Sequence, residues 1–219
     1  MFRKFASAGL MLAMAASATV QAQPMLFKDY AYDSPKSTYT KAKGYEDCSD
    51  FIGKPALCRD GVSFLGEAFS EALIFNKGKL RMVTLYAPET DGMVEKVVLA
   101  LNENFLMTIF TSGKKQLDLV KLARTAKNRE EMARKLAAFQ GKAVESGTYS
   151  ATFLEKFELP KNKPEDVVQL MMIAPDDLRV AEMNVLADED DSTVMVRFGY
   201  PKLDSKANAA QVKASKEAF

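Results

Sequence analysis

The chain has 219 residues, of which 47% are hydrophobic, with 30 basic and 29 acidic side chains and no histidine. This near-neutral charge lacks the basic excess with which proteins contact nucleic-acid phosphates, so we do not expect nucleic acid as a partner. The absence of histidine excludes Ser-His-Asp and Cys-His catalysis and histidine-ligated zinc or copper sites.

The first 22 residues have the pattern of a cleavable signal peptide. Arg3 and Lys4 precede an uncharged apolar stretch from Ala8 to Val20, and Ala22 completes a small-x-small sequence. The apolar stretch is shorter than the roughly 20 residues that span a bilayer, and no later window of that length lacks charge. A buried N-terminal helix is the alternative. We expect cleavage after Ala22, a periplasmic or secreted protein, and no transmembrane segment in the mature chain.

The mature chain would be nearly neutral but unevenly charged. Loss of residues 1–22 removes Arg3 and Lys4 and leaves 197 residues with 28 basic and 29 acidic side chains. Residues 114–142 hold nine basic and three acidic side chains, whereas residues 165–191 hold nine acidic and one basic. Two solvated faces explain this asymmetry, and a basic docking surface for an acidic partner is the alternative.

The two cysteines are separated by nine residues, among them Gly53 and Pro55. An exported chain with two nearby cysteines most simply bonds them, and these turn residues could bring the sulfurs together. The spacing does not match the Cys-x-x-Cys pattern of redox pairs, and two thiolates without histidine would leave a tetrahedral metal half bound. The sequence therefore predicts a structural disulfide between Cys48 and Cys58, with no metal site and no cofactor.

Residues 23–47 show no sustained period and are predicted as an extended N-terminal leader. Strand-like segments follow from Val62 to Tyr86, with a turn at residues 76–79, and favour a β-meander. Helical spacing then predicts a helix over 92–104, although its valines also permit a hairpin at residues 102–104.

The second half of the chain has the clearest helix. Strands are predicted at residues 106–110 and 117–122, and a helix at 129–145, with Asn128 as its cap and Glu131 as the partner in a capping box. Later strands are predicted at 149–157, 167–173, 178–186 and 193–198.

The predicted fold class is α+β, with antiparallel β-meanders and two main helices packed on the sheet or sheets. A weak echo between residues 80–83 and 178–181 suggests two small similar lobes, which we place at residues 48–112 and 113–203. Residues 204–219 have almost no apolar face and are predicted as a flexible tail, either frayed or a solvated helix.

No candidate catalytic group stands out. Ser112 and Lys115 fit a Ser-x-x-Lys pattern but occur in a predicted turn, and Glu67 and Glu71 are expected to be solvated side chains. The acidic run at 188–191 lacks calcium-loop spacing, and the methionines mostly fall at core positions. We therefore predict no catalytic residues and only Cys48 and Cys58 as site residues.

The sequence favours an exported, non-catalytic binding or accessory module that engages another periplasmic protein through a sheet face or edge. The alternative is a small-molecule carrier, or an enzyme that uses carboxylate or lysine groups in a cleft between lobes. A deep apolar cleft with converging charged groups would favour the alternative, and a flat exposed aromatic patch would favour the first hypothesis.

Overall fold

A computed structural model describes residues 23–159, 163–188 and 191–217, with side chains described as far as residue 209. The predicted signal peptide and residues 189 and 190 of the acidic run lie outside these ranges. Within them, the chain forms a nine-stranded antiparallel sheet, a two-stranded sheet and six helices. The predicted α+β fold class is confirmed.

The nine strands of the large sheet lie in the order β3-β4-β5-β6-β11-β10-β9-β7-β8, and the small sheet pairs β1 with β2. The strand bounds are β1 (Met25–Phe27), β2 (Tyr30–Ala31), β3 (Glu46–Asp47), β4 (Ala56–Phe64), β5 (Glu67–Asn76), β6 (Lys79–Pro88), β7 (Phe105–Ser112), β8 (Lys115–Asp118), β9 (Tyr149–Glu155), β10 (Val180–Ala187) and β11 (Ser192–Gly199). The helix bounds are α1 (Ser49–Ile52), α2 (Met93–Asn104), α3 (Leu119–Thr125), α4 (Arg129–Glu145), α5 (Val167–Ile173) and α6 (Pro201–Glu217).

The two main predicted helices are confirmed as α2 and α4, and both contact β7. The predicted cap of α4 is also confirmed, because the Asn128 side chain accepts the Glu131 backbone N–H at 2.8 Å. The Glu131 carboxylate in turn accepts the Lys127 backbone N–H at 2.9 Å. The first bond satisfies an N–H group that the first helical turn would leave unpaired, and the second ties the residue before the cap to the helix.

Two predicted strands are wrong. Residues 117–122 contain only the end of β8 and then enter α3, and residues 167–173 form α5. Both helices begin at an aspartate whose side chain accepts a backbone N–H three residues later: Asp118 from Lys121 and Asp166 from Gln169. These N-caps outweigh the β-branched and long apolar side chains that suggested strands.

One face of the large sheet is buried in the hydrophobic core. A single row of paired residues crosses seven strands on this face and contains Arg59, Glu71, Leu85, Val196, Met183, Ala151 and Phe110. Every member of the row from Glu71 to Phe110 is buried. The opposite face is half-buried along the parallel row of Tyr86, Met195, Asn184 and Ser150.

The N-terminal segment and α2 cover the core face. Leu26 is fully buried and the Phe27 ring stacks on Phe198 at 5.0 Å, so the segment predicted as a leader contributes to the core. From α2, Val97 and Leu101 enter the same cluster. At the end of the sheet near Leu154, α3 and α5 close a second, smaller apolar cluster.

The β5–β6 hairpin has the predicted turn, in which Lys77 and Gly78 both adopt positive φ, at 50° and 73°. The main contacts of α4 are with β7 and α3, not with the second face of this hairpin. On that face Ala72 and Thr84 are buried whereas Ile74 and Met82 are half-buried.

The sheet runs without interruption through both predicted lobes, because β6 pairs with β11. The boundary between residues 112 and 113 falls in the turn of the β7–β8 hairpin. The predicted tail begins inside α6, where the Asp204 carboxylate accepts a 2.7 Å hydrogen bond from the Tyr32 hydroxyl. Among the described helices, none is long and apolar enough to cross a membrane.

Candidate ligand-binding sites

An apolar cavity of about 270 Å³ lies where α3, α4 and α5 meet the ends of β7 and β9. Its lining residues are Leu106, Met107, Leu119, Val120, Ala123, Arg124, Met132, Leu154, Glu155, Lys156, Phe157, Leu159, Lys163, Pro164 and Leu170. All but four of these side chains are apolar. A concave apolar pocket with a few charged groups at its margin is the usual form of a small-molecule site.

Asp118 joins two of the helices that form the cavity. One oxygen of its carboxylate accepts the backbone N–H of Lys121 in α3, and the other accepts the backbone N–H of Val167 at the start of α5, both at 2.9 Å. One carboxylate therefore satisfies the first turns of both helices. Leu170 of α5 packs in one buried cluster with Leu154 of β9, and Leu119 of α3 lines the same cavity.

The cavity has a buried floor and an open side. Leu119, Leu154 and Leu170 are buried, whereas Leu106 and Leu159 are 53% and 51% exposed. Side chains of this kind at the opening would present apolar surface to water unless a ligand or a partner covered them.

Cations predominate at the margin of the cavity. The Lys156 ammonium donates to the backbone carbonyls of Asn102 and Glu103, both at 2.8 Å, which fixes its position. Arg124 and Lys163 are exposed and make no ion pair within the described part of the chain. The Glu155 carboxylate, in contrast, is neutralised by Arg179 at 2.6 Å.

A second unusual feature is Glu71, which is completely buried in the core row of the sheet. One of its carboxylate oxygens accepts hydrogen bonds from the hydroxyls of Tyr30 at 2.9 Å and Tyr45 at 3.2 Å. The other oxygen lies 3.7 Å from the Arg59 guanidinium and makes no hydrogen bond among the described residues. A buried carboxylate is costly unless it is paired and hydrogen-bonded, and this cluster supplies both kinds of contact.

The tyrosines of this cluster act as hydrogen-bond donors over the ordinary pH range. Burial is the main cause that raises the pKa of Tyr30, and its hydrogen bonds with Tyr45 and Glu71 raise it further. Burial likewise raises the pKa of Tyr45. The hydroxyl groups of both tyrosines therefore stay protonated and available as donors.

The predicted disulfide is confirmed, since Cys48 and Cys58 are bonded and close the loop that contains α1. The expectation that Glu67 and Glu71 are both solvated is wrong for Glu71. Glu67 forms a surface ion pair with Lys96 at 2.7 Å. The period of two along β5 could have indicated that Glu71 is buried, because it lies on the same face of the strand as the buried Phe69 and Leu73.

The Ser-x-x-Lys pair and the acidic run lie apart from the cavity and from Glu71, whereas two of the methionines do not. Ser112 and Lys115 are paired at the β7–β8 turn, and the Ser112 hydroxyl contacts that of Ser146 at 3.0 Å. In the described part of the acidic run, the Asp188 backbone N–H donates to the Asp191 carbonyl. Met107 and Met132, two of the predicted core methionines, line the cavity.

Metal-binding geometry is not found among the described residues, where no group of three or more Cys, Asp or Glu side chains could hold an ion. No protein-family model, curated protein or solved structure matches the chain.

Proposed function

We propose that this protein is an exported, non-catalytic binding protein that holds a small amphipathic anion in the cavity between α3, α4 and β9. The observation that carries the proposal is an apolar cavity whose margin presents exposed cations without an ion-pair partner among the described residues. This function corresponds to the carrier alternative of the sequence analysis. The cavity is the feature that we expected to distinguish a carrier from a protein-docking module.

The size of the cavity constrains the ligand. At about 270 Å³ it lies just below the roughly 300 to 1,000 Å³ of typical small-molecule pockets. It would therefore enclose the apolar part of a ligand and leave the polar part at the opening. Burial of that apolar part would supply most of the affinity.

The positive charges at the margin of the cavity favour a ligand whose polar group is anionic. Arg124 and Lys163 have no acidic partner among the described residues, and Lys156 is held at the same margin by two carbonyl groups. A carboxylate, sulfate or phosphate at the opening would gain charge-assisted hydrogen bonds from these groups. A cationic head group would be repelled.

Export is part of the same proposal. Its support is the basic and apolar order of residues 3–22 together with the Cys48–Cys58 disulfide. Disulfides form and persist in oxidising compartments such as the periplasm or the extracellular medium. N-terminal sequencing of the native protein should find Gln23, and a Met1 start would contradict export.

Binding can be tested with dansyl-undecanoate, a fluorescent fatty acid whose emission rises in apolar surroundings. We expect saturable binding by the folded protein and competition by decanoate, but weak competition by decylamine. Ala123→Trp, which fills the cavity from an exposed position on α3, should abolish binding. Ala137→Trp, on an exposed position of α4 outside the cavity, is the matched control and should bind normally. Equal binding by both variants would overturn the proposal.

One observation favours protein docking as a second candidate function. On α5, Val168, Met172 and Ile173 are exposed although all are apolar, and Met172 is 74% exposed. These side chains could engage apolar residues of another exported protein. A photocrosslinking residue at position 172 should capture one protein, and the purified pair should dissociate in Met172→Glu. Crosslinking that is equal from the exposed, charged position 130 would contradict docking by α5.

A further inference from the structure

A polar cleft of about 590 Å³ lies between the N-terminal segment and β4. Its lining residues are Lys28, Asp29, Tyr30, Thr38, Tyr39, Lys43, Tyr45, Arg59 and Val62. In the strand order of the sheet, β4 is six positions from β7, which carries the edge of the apolar cavity. The cleft and the cavity are therefore separate sites, and the one does not depend on the other.

Arg59 is the best-held cation of the cleft. Its guanidinium lies over the Tyr45 ring at 4.8 Å and donates a 2.8 Å hydrogen bond to the Tyr30 hydroxyl. Behind it lies the carboxylate of Glu71, which is fully buried and does not line the cleft. An arginine that is stacked and backed by a buried carboxylate has lost most of its side-chain freedom before any ligand arrives.

Arg59 nevertheless keeps donors for another group. The nearest contact to Glu71 is 3.7 Å, which is too long for a hydrogen bond, and the acceptor described for the terminal nitrogens of the guanidinium is the Tyr30 hydroxyl. The Nε–H is buried and has no hydrogen-bond partner among the described residues. The side chain is 33% exposed on the cleft side. A planar guanidinium with unused N–H groups matches the two oxygens of a carboxylate or a phosphate.

Two lysines are fixed at the margin of the same cleft. The Lys28 ammonium donates to the Ser63 carbonyl at 2.9 Å, and the Lys43 ammonium donates to the Thr38 carbonyl at 2.8 Å. Each ammonium has three donors, so each retains two for a ligand. Together with Arg59 they make three cations in the lining, against the single acidic side chain of Asp29.

We propose that this cleft binds a small polar organic anion, whose carboxylate or phosphate pairs with Arg59 and whose hydroxyl groups meet the polar margin. Glu71 acts as a positioning residue, since it holds Arg59 and Tyr30 from behind without facing the ligand. The hydroxyl of Thr38 and the rings of Tyr39 and Tyr45 suit a hydroxylated ligand such as an acidic sugar.

Glucuronate and glucose 6-phosphate are suitable probes, because they carry the two candidate anionic groups, and glucose is the uncharged control. NMR spectra of protein labelled at its arginine side chains, recorded at constant ionic strength, report each guanidinium directly. We expect one of the anions to shift the Arg59 Nε–H signal saturably, and glucose and sodium chloride to leave it unchanged. The anion that binds more tightly distinguishes a carboxylate site from a phosphate site.

Three variants test the assignment. Arg59→Gln should weaken binding by about tenfold or more, as expected for the loss of charge-assisted hydrogen bonds. Lys43 makes no described contact with Glu71, so the Lys43→Gln variant should fold normally. It should still bind the anion several-fold more weakly. Arg197→Gln removes a partly exposed arginine of β11 that lies outside the cleft, and it should bind like the wild type.

Two results would overturn the proposal. One is the absence of any saturable shift of Arg59 with either anion. The other is unchanged affinity in Lys43→Gln together with unchanged affinity in a folded Arg59→Gln protein. Because these probes lack a long apolar part, either result would leave the test of the apolar cavity unaffected.

Discussion

Leu99 and Leu101 are two residues apart on α2, yet Leu99 is 61% exposed and Leu101 is 3% exposed. The difference follows from the helical period, which turns Leu101 with Val97 toward the core cluster and Leu99 toward solvent. This pair allows the contribution of α2 to the core to be measured with one residue type.

Leu101→Ala should destabilise the protein by about 2–5 kcal/mol, because it leaves a cavity in the core. Leu99→Ala should change the free energy of unfolding by no more than about 0.5 kcal/mol, because its side chain is mostly in water already. Urea denaturation of the two variants measures both values. Similar losses in the two would contradict the packing of α2 on the sheet.

The disulfide should stabilise the fold by about 2–3 kcal/mol, according to the chain-entropy estimate for a loop of this length. We expect the Cys48→Ser/Cys58→Ser double variant to lose this amount in urea denaturation. The reductant-treated wild type should match the double variant. If thiol alkylation labels both cysteines of the folded native protein without reductant, the bond is absent from the native state.

Glu71→Ala should destabilise the protein by about 3–5 kcal/mol, because Arg59 and the hydroxyls of Tyr30 and Tyr45 would lose a buried partner. Glu71→Gln should cost less, since the amide oxygen can still accept from both tyrosines. Glu67→Ala on the same strand is the control and should cost at most about 1 kcal/mol, as expected for a surface ion pair. Equal effects at the two positions would contradict the buried cluster.

Stability should fall at alkaline pH. Burial raises the pKa of Tyr32 to about 12, with a further contribution from the hydrogen bond to Asp204, and burial raises the pKa of Tyr200 to about 12. The folded state therefore holds these protons more tightly than the unfolded chain, whose tyrosines titrate near 10. The resulting stabilisation is fully present below about pH 10 and is lost as the pH rises through about 12.

Urea denaturation at a series of pH values up to about 12 checks this dependence. Tyr32→Phe removes one of the two phenols and should reduce the alkaline loss of stability. A free energy of unfolding that stays constant across this pH range in the wild type would contradict the buried state of both tyrosines.

The sequence predicted those parts of the fold that depend on local signals. Helix α4 was predicted because Asn128 and Glu131 form a capping-box-like pair before an amphipathic segment, and the β5–β6 turn because Asn and Gly tolerate positive φ. The structure places the positive φ values at Lys77 and Gly78. In contrast, α5 was predicted as a strand. The signal that could have corrected it was the pair of Asp166 and Gln169. The Asp166 carboxylate accepts the Gln169 backbone N–H, and the Gln169 side chain accepts the Glu165 backbone N–H.

Neither candidate site could be predicted from local signals. The apolar cavity is lined by residues of four elements, among them Leu106, Leu119, Leu154 and Leu170. Two of these elements, α3 and α5, were predicted as strands. The buried position of Glu71 follows from the period of two in β5, but its contact with Arg59 depends on the register of β4 and β5. That register includes a bulge between Arg59 and Val62, which the sequence alone does not specify.

The most direct test of the proposed function is a methyl NMR titration with decanoate, which shows where the apolar chain binds. We predict saturable shifts of the Leu119, Leu154 and Leu170 methyl signals, with no shift for Leu85, which is buried in the sheet outside the cavity. Ala123→Trp should abolish the shifts and Ala137→Trp should preserve them. No saturable shift of the three cavity leucines, or shifts that persist in Ala123→Trp, would contradict the assignment of this cavity as the ligand site.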